Sequence, residues 1–121
     1  MSEKESKSVI LNPVRIQSIL SASVHDKLLE CDVIIKNEER MFVGLKYDKT
    51  IATAPVIILQ GDERLKAQLS KTEEENKIPY FDHRPLAREL YEIFNEGDII
   101  PDMYYNCIAE IYTRLKNNSC E

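Results

Sequence analysis

The sequence predicts an α/β fold: a small mixed four-stranded sheet with a β-hairpin and a βαβ unit, covered by helices. Three observations predict it. The run "MFVGLKY" (41–47) alternates apolar and polar positions behind "DVIIK", with a four-residue link between them, as a hairpin does. The run "PVIIL" (55–59) is continuously apolar and β-branched, the pattern of a strand covered on both faces. Beyond it lie three stretches of helical periodicity punctuated by Pro and Gly.

In chain order, residues 1–12 form a leader expected to be disordered, since its first part, "MSEKESKS", is too polar to join a core. Asn12-Pro13 suits a helix start, since Asn caps and Pro fits the first turn. Ile16, Ile19, Leu20, Val24 and Leu28 then share one face, which predicts a single amphipathic linker helix over 13–29. Its stripe is narrow and Ser-rich. It is expected to pack loosely, docking through self-association or a partner rather than through the main core. The compact domain spans 30–117, and residues 118–121 form a frayed tail.

Within that domain, strands are expected near 32–36 and 41–47, with Met41, Val43, Leu45 and Tyr47 on the buried side. A central strand at 55–59 leads into a helix over 62–76. The short strand "IPYF" (78–81) then closes a βαβ unit, parallel to 55–59. Pro79 places this last strand at a sheet edge. The acidic run Glu73–Glu75 reads as a solvated helix face. Pro85 and Gly97 bracket a helix with Leu86, Leu90, Tyr91 and Phe94 inward. Pro101 opens another, packing Tyr104, Ile108, Ile111 and Leu115.

Composition narrows the function classes. The chain has 121 residues, 43% of them apolar, enough for one domain with one core. A net charge of −5 argues against nucleic acid as the main partner. No apolar run approaches the about 18–20 residues of a membrane span, so the chain is expected to be cytoplasmic. Cys31, Cys107 and Cys120 form no CxxC pair, which suggests neither a disulfide framework nor a metal site. With only three glycines and no phosphate-binding motif, no cofactor is expected. Asp82, His83 and Arg84 are the only clustered polar candidates for an enzyme. Beside Pro85 they read instead as the cap of the following helix.

From about Leu29 to Lys116 the chain resembles the cytoplasmic C-terminal domain of the type III secretion export switch family, which includes flagellar FlhB and the injectisome proteins YscU and SpaS. The blocks that carry the resemblance are "DVIIKN", "VGLKYD", "APVIILQGDERL", "IPYFDHRPLARELY" and "EGDIIPDMYYNCIAEIY". It implies a module at the inner face of a membrane export gate, with export apparatus components and export substrates as partners. It also implies a self-cleaving hairpin loop, Asn-Pro-Thr-His, in which the asparagine side chain attacks its own carbonyl and releases the downstream amine.

At the matching positions this chain has Asn37, Glu38, Glu39 and Arg40. Only the asparagine is kept. Intramolecular attack needs a held near-attack geometry, and the proline that constrains the turn is absent. Glu38 also sets an anion beside developing negative charge. The expectation is a non-enzymatic interaction module with a vestigial cleavage loop; the alternative is a switch that still cleaves at Asn37. The charged loop reads either as a solvated turn or as a partner-docking patch of Glu38, Glu39 and Arg40, joined by Arg84 and Pro85. Lacking the family's membrane domain, the chain is either an excised fragment or a stand-alone paralogue, and the lost motif favours the latter.

Overall fold

A computed structural model describes residues 9–38 and 40–119, with side chains to residue 115. The elements are α1 (Pro13–Leu20), α2 (Val24–Glu30), β1 (Val33–Asn37), β2 (Met41–Lys46), β3 (Val56–Asp62), α3 (Lys66–Asn76), β4 (Tyr80–Asp82), α4 (Arg84–Glu92) and α5 (Tyr105–Ser119). Short 3-10 turns precede α3 and α5.

The four strands form one mixed sheet in the order β3-β2-β1-β4. The β1–β2 hairpin is antiparallel, with Ile35 opposite Val43, and β2 pairs antiparallel with β3. Strand β4 pairs parallel with β1 and forms an edge, as Pro79 predicts. Strand β3, expected at the centre beside β4, lies instead at the opposite edge. The two run in the same direction, but the connection through α3 passes over β2 and β1. The apolar run still reads burial correctly, because residues 97–100 cover the outer edge of β3. Ile57 N–H donates to Asp98 O, Gly97 N–H to Ile57 O and Ile100 N–H to Pro55 O. An edge strand whose ladder groups are satisfied in this way can be as apolar as a central one. Central position falls to β2, which buries both faces rather than the one expected, through Phe42 and Gly44 on one side and Val43 and Leu45 on the other.

Two apolar layers result. On one face, α1, α2 and α3 cover Ile34, Phe42, Val56, Ile58 and Leu59. On the other, α4 and α5 cover Val33, Ile35, Val43, Leu45 and Ile57.

The expected single helix over 13–29 is two helices. Asn12 caps the first, accepting from Arg15 N–H. Ser21 closes it, its hydroxyl donating to Gln17 O at 2.9 Å. Ser23 opens the second, accepting from Asp26 N–H. Serine side chains compete for local backbone groups, and two of them in three residues break the helix. The turn redirects the stripe onto the sheet: Ile16, Ile19 and Leu28 are buried in the first layer, with Leu20 and Val24 packed against it. The stripe on which docking by self-association rested is therefore used by the core. Residues 9–12, expected to be disordered with the rest of the leader, instead run beside 51–53 and exchange backbone hydrogen bonds with them; residues 1–8 lie outside the described residues.

Candidate functional site

The hairpin loop is built from residues that pay a conformational cost. Asn37 pairs with Met41, and Arg40 N–H donates to Asn37 O at 3.0 Å. Glu38 then adopts φ 52°, the left-handed region that glycine or asparagine fills more easily. Its carboxylate reaches the first residue of α4, with Arg84 Nη1 3.3 Å from Glu38 Oε2. Both side chains are largely exposed, so the pair contributes little, about 0–1 kcal/mol. The structure thus joins Glu38 to Arg84. Arg40 lines the same polar cleft as Glu38, with Lys36, Lys66, Tyr80 and Asp82. Pro85 sits exposed in the first turn of α4. Glu39 lies outside the described residues.

Beneath the loop, Lys36 Nζ is 3.0 Å from Glu73 Oε1 and 3.9 Å from the centre of the Tyr80 ring. Glu73 is not part of a solvated face, unlike Glu74 and Glu75: it is buried, and its Oε2 has no hydrogen-bond partner. Desolvation pushes its carboxyl up, against the hydrogen bond from Lys36.

His83 acts as expected of a cap: its Nδ1 accepts from Leu86 N–H at 3.3 Å. That fixes the neutral ring's proton on Nε2, which lies 3.6 Å from Cys107 Sγ. The imidazole is therefore a donor toward the sulfur, not a base for it. Burial, with the Glu110 charge behind it, raises the Cys107 thiol, so this pair lacks an activated nucleophile.

A second surface feature was missed by sequence reasoning. An open groove of about 370 Å³ runs between the loop after β2 and helix α5. Tyr47, Thr53, Ala54 and Pro55 form one wall; Tyr105, Ile108, Ala109 and Tyr112 form the other. The Asp48 carboxylate shapes the loop, accepting from Thr50 N–H at 2.9 Å and Thr50 Oγ1 at 2.7 Å. Tyr105, Ala109 and Tyr112 follow one another at helical spacing beside the buried stripe of Tyr104, Ile108 and Ile111. That second stripe was the available signal.

A small α/β domain with a mixed four-stranded sheet and a hairpin loop at one end of it falls, by fold and sequence together, in the type III export switch class. The sequence profile of the FlhB HrpN YscU SpaS family matches residues 12–115, and the chain belongs to that family. It is 29% identical over 101 residues to the flagellar biosynthetic protein FlhB of Borreliella burgdorferi, covering 84% of this chain and 27% of that protein. It is 33% identical over 82 residues to FlhB of Bacillus subtilis, covering 68% and 23%. The chain thus spans about a quarter of the length of these relatives. Among solved structures it is similar to an EscU C-terminal domain carrying an Asn-to-Asp substitution: TM-score 0.67, 26% identity, covering 73% of this chain and 94% of that one. The cytoplasmic domain of FlhB from Shewanella putrefaciens shares the fold at TM-score 0.65 and 24% identity, covering 79% and 70%. Among the described residues, no helix is long and apolar enough to cross a membrane.

Proposed function

We propose that this chain is a non-enzymatic docking module of a flagellar or related type III protein export apparatus, working at the cytoplasmic face of the export gate. The groove between Pro55 and Tyr112 carries this reading. Its lining is mostly carbon, rimmed by aromatic side chains, the composition of surfaces that take up apolar side chains of another polypeptide. Family membership supports, as occupants, segments of export substrates or of other export components. Glu38 and Arg40 of the loop, with Arg84 of α4, are a secondary contact patch at the hairpin end of the sheet.

The same module does not cleave itself. The Asn37 carbonyl is held in the turn by Arg40 N–H, and Glu38 replaces the constraining proline. Glu39 and Arg40 stand in the sequence where the family loop has its threonine and histidine.

Binding of purified flagellar export substrates to the full chain, measured by calorimetry, tests the docking reading. Ala109→Glu, which places a charge in the groove wall, should abolish binding while the thermal midpoint stays within a few degrees. Undiminished binding by that variant would remove the groove from the function.

A further inference from the structure

We propose that Asp32 is a positioning residue for this groove: its carboxylate holds the two walls at a fixed separation and so sets the size of apolar side chain that fits. The inference rests on the docking reading above.

Asp32 lies between α2 and β1, and its own N–H donates to Leu45 O at 2.8 Å, which pins its backbone to the sheet. One carboxylate oxygen, Oδ2, then serves both walls. It accepts from Tyr47 N–H at 2.5 Å and from the Tyr112 hydroxyl at 3.3 Å. Tyr47 begins the loop wall, and Tyr112 belongs to the helix wall. Helix α5 and the 3-10 turn before it otherwise meet the sheet through Tyr104, Ile108 and Ile111. Apolar contacts of that kind fix how close the helix lies but are non-directional. The bond to Asp32 adds direction, since a hydrogen bond weakens steeply when its angle changes. Burial and the Asp32 charge push the Tyr112 phenol well above its ordinary value, so it remains a donor throughout the neutral range.

The test titrates two probes, N-acetyl-leucinamide and N-acetyl-tryptophanamide, into the full chain and follows backbone amide NMR shifts at 53–55 and 105–112. The ratio of their dissociation constants is the readout. Asp32→Ala and Tyr112→Phe should each reduce that ratio about threefold. The double variant should add nothing to Asp32→Ala, because that change already removes the bond that Tyr112→Phe removes. Asp32→Asn keeps an acceptor oxygen and should retain the wild-type ratio. Hydrogen exchange at 56–59 should not change in any variant. Unchanged ratios in Asp32→Ala and Tyr112→Phe would overturn the assignment while leaving the groove reading intact. So would an equal loss of both probes in Asp32→Ala with none in Tyr112→Phe, which marks a merely structural role. If neither probe shifts the wild-type amides in a saturable way, the groove reading fails and this inference fails with it.

Discussion

Lys36 and Glu73 meet at 3.0 Å on the covered face of the sheet, one residue before the hairpin loop, with the second Glu73 oxygen left without a partner. Removing one member of a buried pair leaves an uncompensated charge, which costs about 3–5 kcal/mol. Lys36→Met should lower stability by about that amount at pH 7. The cost should depend on pH. Burial already raises the Glu73 carboxyl above its ordinary 4.5, and loss of Lys36 raises it further. A carboxyl raised in the folded state favours folding while it is protonated. That contribution is full below the unfolded value and is lost as pH rises through the folded one. The deficit against wild type should therefore grow from pH 4 upward, in urea melts of both proteins. The paired change Lys36→Met with Glu73→Leu should recover most of it.

Gly44 occupies a position that admits no side chain. A Cβ there would overlap Cys31 Sγ, and the sulfur is itself held by donation to Lys27 O at 3.3 Å. Burial raises the Cys31 thiol to about 12, so it remains protonated and small rather than reactive. Gly44→Ala should cost about 1–3 kcal/mol by overpacking. Adding Cys31→Ala should relieve part of that loss. Thermal melts of the two variants measure the coupling directly.

The hairpin loop makes a chemical prediction. Intact-mass measurement should give one species near 14.0 kDa. Replacing Glu38, Glu39 and Arg40 by Pro, Thr and His restores the loop type of the family that the chain resembles, and should produce two fragments split after Asn37. A single mass for the restored loop would mean that groups outside the loop, not its turn residues, decide cleavage. Two fragments from the wild-type chain would reverse the proposed reading of this loop.

Much of this was legible in the chain because local pattern and tertiary role agree. Pro79 marks an edge strand, Pro85 and Pro101 lie at the starts of their helical segments, and Asn12 caps α1 where Asn12-Pro13 predicts. Sheet order was less legible. A run such as Val56–Leu59 reports that both faces and an edge are covered, not what covers them. Here residues 97–100 do so from far along the chain, where no periodicity announces a single antiparallel bridge. The break at 21–23 could have been read, since Ser23 and Asp26 stand at capping spacing, but the apolar stripe ran through it. The groove was hidden for a different reason. Its walls come from two distant segments, and its residues, small or aromatic, look like ordinary core positions.

The first layer makes its own prediction. If α1 and α2 belong to the core, amides at 16–20 and 27–30 should exchange with protection comparable to 56–59 in dilute solution, without any partner. Ser23→Ala, which removes the cap of α2, should cost about 1 kcal/mol and lower protection of α2 ahead of that of β3. Rapid exchange at 16–28 in the wild type would return these helices to a docking role.

Gln60 ties the remaining pieces together and offers the sharpest structural test. Its side-chain amide donates to Leu90 O at 2.9 Å and Tyr91 O at 3.3 Å, carbonyls at the end of α4 that the helix cannot pair itself, and to Phe94 O at 2.8 Å just beyond the helix. Its backbone N–H meanwhile donates to Glu96 Oε2 at 2.9 Å, and the other Glu96 oxygen lies 3.0 Å from the buried Lys27 Nζ. One residue of β3 thus links the end of α4, the segment leading to Gly97, and α2 from the opposite layer. Gln60→Leu keeps the volume but leaves the carbonyls unpaired, at a cost of about 1–3 kcal/mol. Glu96→Gln retains a hydrogen-bonding side chain and removes the charge facing Lys27, so its loss should be smaller in 1 M salt than in dilute buffer only if the pair is solvent-screened. With the Lys27 side chain only 9% exposed, salt should change that loss little. Equilibrium melts of the two variants at both ionic strengths decide it: a salt-sensitive Glu96→Gln, or a neutral Gln60→Leu, would show that this junction does not hold the two layers together.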